Sequence, residues 1–126
     1  MTRFIPTILF LSACTTGGNY PDQYAKALCE TTYACLDEGD IEVVTGYDDI
    51  DECIVELTSE IRSSDVYDEW EEGTRTFNKE AASGCITEIE EVQQDSDCDG
   101  SMSAWTFFTD IQSDDCDDVF PTADAE

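Results

Sequence analysis

The residues with the most chemical potential lie late in the chain. Asp95-Ser96-Asp97-Cys98-Asp99-Gly100 puts three carboxylates at alternate positions ahead of a glycine. That is the first half of a calcium-binding loop, in which alternate side chains supply hard oxygen ligands and the glycine makes the sharp turn. Asp95, Asp97 and Asp99 are therefore candidate calcium ligands, with Ser103 at the ninth position able to act through a water. The twelfth position, where a bidentate Glu closes such a loop, is Thr106. Calcium is the one cofactor the sequence suggests. Asp114, Asp115, Asp117 and Asp118 around Cys116 form a second acidic run, read as a solvated helix start.

Seven cysteines are the other reactive set. No Cys-x-x-Cys pair occurs, so a thiolate metal site lacks its usual spacing. Cys29, Cys35, Cys53, Cys85, Cys98 and Cys116 are an even set, which in an exported chain reads as three disulfides. The absence of His excludes imidazole triads, His-ligated zinc and His proton shuttles. With 31 acidic and 5 basic residues the formal charge is -26, which excludes a nucleic-acid binder that grips phosphates with Lys and Arg. Paired carboxylates are the enzymatic chemistry this composition leaves open, as in glycoside hydrolysis. No pair is marked out and no nucleophile motif occurs, so catalysis is not expected.

Positioning these groups falls to amphipathic helices. Pro21 suits the first turn of a helix over about Pro21–Leu36, whose stripe includes Tyr24, Leu28 and Cys35, with Gly39 as its stop. Ile41–Val44 reads as a short extended stretch. Asp48 or Asp49 caps the clearest helix, about Asp49–Arg62, on which Ile50, Cys53, Ile54, Leu57 and Ile61 keep three-four spacing. Residues 65–73 suit a short helix with its own cap and stop. Its Val66, Tyr67 and Trp70 are read as docking on the core, with an exposed aromatic anchor for a protein or glycan as the alternative. Phe77-Asn78 is a staple and N-cap before a helix over about Lys79–Gln93, carrying Ala81, Cys85, Ile86, Ile89 and Val92. Trp105, Phe108 and Ile111 fit a helix, with strand left open by the aromatic and β-branched content. Antiparallel packing of the helices around Cys35 and Cys53 favours Cys35–Cys53. Two apolar helix faces then favour Cys29–Cys85, leaving Cys98–Cys116. The fold class expected is all-α: a small disulfide-stapled bundle of three to four helices.

The amino terminus runs basic, apolar, small: Arg3, then Phe4–Leu11 interrupted by Pro6, then Ser12-Ala13-Cys14. This is the layout of a secretory signal, too short to span a bilayer. Leu11-Ser12-Ala13-Cys14 also resembles the lipobox of bacterial lipoproteins. That resemblance implies cleavage before Cys14 and acylation of Cys14, giving membrane attachment through a lipid anchor. Thr15 in place of Asp after the cysteine implies the outer membrane of a Gram-negative cell. Domain organisation follows: residues 1–13 a signal peptide, 14–20 the lipidated Cys and a flexible tether, 21–120 the acidic helical domain, 121–126 a frayed tail. After residue 13, Leu, Ile, Val and Phe make up 20 of 113 residues, a thin core that by itself points toward disorder. Three disulfides, each contributing about 2–4 kcal/mol, oppose that.

Beyond the signal, the body resembles a set of uncharacterised predicted lipoproteins of myxobacteria. The likeness rests on Leu28-Cys29 through Tyr33-Ala34-Cys35, Asp51-Glu52-Cys53, Phe77–Ala82 with Cys85, and Cys116-Asp117-Asp118-Val119-Phe120. It implies a small disulfide-linked helical domain behind a lipid anchor and brings no activity with it. This chain differs in its acidity and in the added segment Asp65–Thr76. The function expected is a non-enzymatic envelope interaction module with a protein or glycan partner, the alternative being a calcium-binding domain.

Overall fold

The computed structural model describes residues 15–47, 49–95, 98–111 and 114–122. Among them the regular structure is helical: α1 Tyr20–Cys35, α2 Glu38–Thr45, α3 Ile50–Arg62, α4 Asp65–Glu72, α5 Lys79–Gln93, α6 Ala104–Asp110 and α7 Asp114–Asp117. The all-α, disulfide-stapled fold expected from the sequence is present. The signal segment, Cys14, Asp97 and residues 123–126 lie outside the described residues.

Helix α1 is the centre, with α3 on one side and α5 on the other. Helix α3 runs antiparallel to it, since Arg62 at its end reaches Asp22 near the start of α1 at 2.9 Å. Helix α5 runs with α1: Tyr20 lies 3.6 Å from Cys85, and further along Thr31 donates to the Ile89 carbonyl. The expected stripe of α3 faces inward, but only Cys53 on that helix is fully buried. Its charged outer face makes α3 a half-covered outer layer, as the small apolar count requires.

Local chemistry fixes most boundaries. Asp49, Ser64, Asn78 and Ser103 each accept from a backbone N–H in the first turn of the following helix. Such caps satisfy donors that the helix itself leaves unpaired. Gly46 and Gly73 close α2 and α4 at φ 71° and 93°, a conformation that costs glycine nothing sterically.

Two corrections concern the α1–α3 connection. Residues 41–44 are helical, not extended, and Gly39 stands inside the first turn of α2 instead of ending α1. The break falls at Leu36 and Asp37, whose backbones are both extended. Leu36 is buried and bridges to Met102, while the Asp37 carboxylate accepts from the Gly39 N–H.

The disulfides are Cys29–Cys53, Cys35–Cys98 and Cys85–Cys116. Six cysteines in three bridges match the reading of the sequence, but all three expected pairings are corrected. Cys35–Cys53 fails because α2 occupies the connection, so α3 meets α1 at Cys29, well before its end. Cys29–Cys85 fails on direction, because Cys29 faces α3, where it meets Cys53, while Cys85 on α5 faces Cys116 of α7. Cys98 is taken by Cys35, at the end of α1 beside the loop after α5.

An aromatic cluster fills the start of the bundle. The Phe120 ring meets Tyr20 and Tyr67 edge-on at 5.8 and 6.0 Å and lies within 6 Å of Trp70 and Phe77. Its segment is held by backbone bonds from Thr76 to Pro121 and from Asn78 to Val119, and by Arg75, which donates to the Phe120 carbonyl at 2.8 Å.

Residues 15–19, expected to be a flexible tether, are packed on the domain. The Thr15 side chain is 3 % exposed as a residue and donates to Gln23. Gly17 lies against the Trp70 ring so closely that a Cβ there would collide with it. Arg62 donates to the Gly18 carbonyl at 3.0 Å and to the Tyr67 hydroxyl at 3.1 Å. The composition of this stretch suggests freedom; its small residues instead allow close approach to a ring.

Candidate functional site

The acidic loop is only partly described. Gly100 has φ 88°, the left-handed turn its place in a calcium loop calls for. The Asp99 carboxylate accepts from the Ser101 N–H and hydroxyl, and those bonds hold it below the usual carboxylate range. Thr106, at the position of the bidentate ligand, receives a bond from the Ser103 hydroxyl. Cys98 ties the loop to α1. Beyond it, Met102 donates to the Cys35 carbonyl and accepts from Asp37, while the Asp40 carboxylate caps Ala104 at 2.8 Å. The described part of the loop therefore positions α6 against the end of α1. Among the described residues no group of three or more His, Cys, Asp or Glu side chains converges as metal ligands would.

Helix α6 differs from its expected orientation. Phe107 is its buried residue, packing with Leu36, Val92 and Met102. Trp105 is 81 % exposed and Phe108 45 %. The expected stripe of Trp105, Phe108 and Ile111 is thus mostly an outer face, with Ile111 half-buried. The Asp40 cap and the Cys35–Cys98 bridge fix the start of α6 and turn Phe107 inward. The docking on the core expected of Val66, Tyr67 and Trp70 holds for two of them: Tyr67 is 3 % exposed and Trp70 is half-buried against Phe120, whereas Val66 is exposed. Among the described residues, Trp105 and Phe108 are the aromatic side chains that stand exposed.

Phe108 borders a cleft of about 980 Å³ between α6–α7 and the α1–α5 face. Tyr24, Leu28, Ile89, Phe108 and Ile111 make its apolar surface, and Glu88, Asp114, Asp115 and Asp117 its acidic rim. Phe108 and Leu28 also border a second cavity of about 320 Å³, beside Val44, Tyr47 and Leu57. The rim is fixed mechanically. Cys85–Cys116 bonds α7 to α5, and Gly84 on α5 leaves room for the Asp115 side chain, which a Cβ would meet. Gly84 thus has a packing role.

A cleft that mixes apolar side chains with carboxylates can cover hydrophobic side chains and attract cations. No helix among the described residues is long and apolar enough to cross a membrane. No protein-family model, curated protein or solved structure matches the chain.

Proposed function

We propose that this chain is an exported bacterial lipoprotein, acylated at Cys14 and held at the outer membrane of a Gram-negative cell, whose acidic domain is a non-enzymatic interaction module. The observation that supports the module most is the exposed pair Trp105 and Phe108 on α6, of which Phe108 borders the cleft, in a domain that otherwise packs its aromatics away. Three disulfides suit an oxidising, extracytoplasmic compartment. The packed segment 15–19 gives the anchor reading a mechanical form: the residue after Cys14 is already part of the domain, which would sit close to the bilayer in one orientation. Two acyl chains on one residue suffice for stable attachment. The test is expression in a Gram-negative host with labelled fatty acid. The wild type should be labelled and sediment with membranes, and Cys14→Ser should do neither. Continued labelling of that variant would defeat the anchor.

The second reading, a calcium-binding loop, is favoured by Gly100 at φ 88° directly after Asp99. Stabilisation of residues 15–126 by micromolar calcium, beyond that given by magnesium at equal ionic strength, would establish it. An identical response to both salts would leave only charge screening.

A further inference from the structure

We infer that the cleft between α6–α7 and the α1–α5 face is the docking site for a cationic, amphipathic segment of a partner polypeptide. Its apolar side chains would seat on Tyr24, Leu28, Phe108 and Ile111, and its Lys or Arg residues would face Asp114 and Asp117. This deepens the interaction-module reading and rests on it; the lipid anchor enters only in the argument against the bilayer.

Three observations carry it. The first is size and lining: about 980 Å³, with Tyr24, Leu28, Phe108 and Ile111 among its walls, is room for several side chains, far more than one bound ion needs. The second is charge. The rim contributes carboxylates and no cation, and the whole chain carries -26, so an arriving basic segment is steered and an anionic surface is repelled. The third is Trp105, 81 % exposed and one helical turn before Phe108 on α6, so that the two rings share a face of that helix. An indole in that position covers apolar side chains and accepts a guanidinium or ammonium on its face.

The bilayer is the competing explanation for an exposed Trp, and the geometry disfavours it. Thr15 packs near the start of α1, whereas α6 begins beside Leu36 and Met102 at the other end. Sixteen residues of helix separate those ends by about 24 Å. With the anchor at residue 14, the Trp105 end points away from the membrane.

The probe is a fluorescently labelled Lys/Leu amphipathic peptide, titrated into the oxidised protein from residue 15 onward. The controls are a Lys/Ser peptide of equal charge and length and vesicles of zwitterionic phosphatidylcholine. The Lys/Leu peptide should bind at least about tenfold more tightly than Lys/Ser, a difference of ~1.4 kcal/mol. Trp105→Ala and Phe108→Ala should each weaken it several-fold, with unchanged circular dichroism. Asp114→Asn with Asp117→Asn should weaken it and flatten its salt dependence, whereas Glu71→Gln with Glu72→Gln, an equal charge change on the exposed face of α4, should not. Trp105 is so exposed that its removal tests the site even if Phe108→Ala fails to fold. Equal binding of both peptides, equal loss from the α4 control pair, no binding of Lys/Leu, or vesicle binding that depends on Trp105 would each overturn the proposal. None of these results touches acylation of Cys14, so the two readings fail separately.

Discussion

At the scale of single residues, Phe120 and Gly17 carry more of the fold than their positions suggest. Phe120 lies near the end of the described chain yet touches four other aromatic rings. Truncation to Ala would open a cavity that flanking rings refill only in part. Phe120→Ala should cost about 3–5 kcal/mol, read as a lower denaturation midpoint in urea. Gly17→Ala forces a methyl into the Trp70 ring and should cost ~1–3 kcal/mol, accompanied by a change in Trp70 fluorescence. Unchanged stability in Gly17→Ala would mean that residues 15–19 do not pack. Neither role was legible in the sequence. A lone Phe before a Pro and a Gly beside another Gly look like chain-end and linker residues, and their partners are far away along the chain. Trp105, Phe107 and Phe108 show the same limit. Adjacent aromatics make helical spacing ambiguous, and the choice of Phe107 for the interior comes from the Asp40 cap and the Cys35–Cys98 bond.

At the scale of elements, caps were the most readable signal. Asp49 and Asn78 sit where short polar residues precede apolar periodicity, and each caps the helix expected there. Asn78→Ala should destabilise by about 1 kcal/mol, since it leaves the Ala81 N–H without its side-chain acceptor. Helix α2 was missed although its signals were present. Asp37 starts it, acidic residues fill its first turn and Gly46 ends it, but the β-branched run Ile41–Val44 outweighed them. That miss propagated to the disulfides, because a two-turn helix in the connection resets where α3 meets α1. The bridges differ in the length of chain they close. By loop-closure entropy, Cys35–Cys98, separated by 63 residues, should be worth roughly 4 kcal/mol, and Cys29–Cys53, separated by 24, about 3.5. Replacing the first pair by Ala should therefore lower the midpoint more, and it should also free α6 and expose Phe107.

At the scale of the molecule, the acidity is distributed over a skin that two arginines pin at its seams. Arg62 ties residues 15–19 to α3 and α4, and Arg75 ties the chain end to α4 through Glu69 at 2.6 Å. The remaining charge repels itself. Melting temperature should rise with sodium chloride from about 0.01 to 0.5 M as the Debye length contracts from ~30 Å to below 8 Å. Alkali acts through the aromatic cluster. Burial raises the pKa of Tyr20 first and foremost, and of Tyr24. A folded-state pKa above the unfolded one stabilises fully at pH below the unfolded value of about 10, and that stability is lost as pH rises toward the folded value. Unfolding should therefore set in above about pH 10, with tyrosinate absorbance rising in the same transition. Fold class was visible in the helical spacing of the apolar residues, and bridge count in cysteine parity. The cleft was not, because its walls come from α1, α5, α6 and α7 and depend on bridges that spacing could not pair.

The central claim is an exported domain whose first cysteine bears lipid and whose other six are bonded in one arrangement. Non-reducing peptide mapping by mass spectrometry, on protein extracted from bacterial membranes and cut at acidic residues, tests it directly. The account predicts linked peptides for Cys29–Cys53, Cys35–Cys98 and Cys85–Cys116, and an amino-terminal peptide beginning at an acylated Cys14. A Cys14 found free or in a disulfide, or any other pairing of the six, would contradict it.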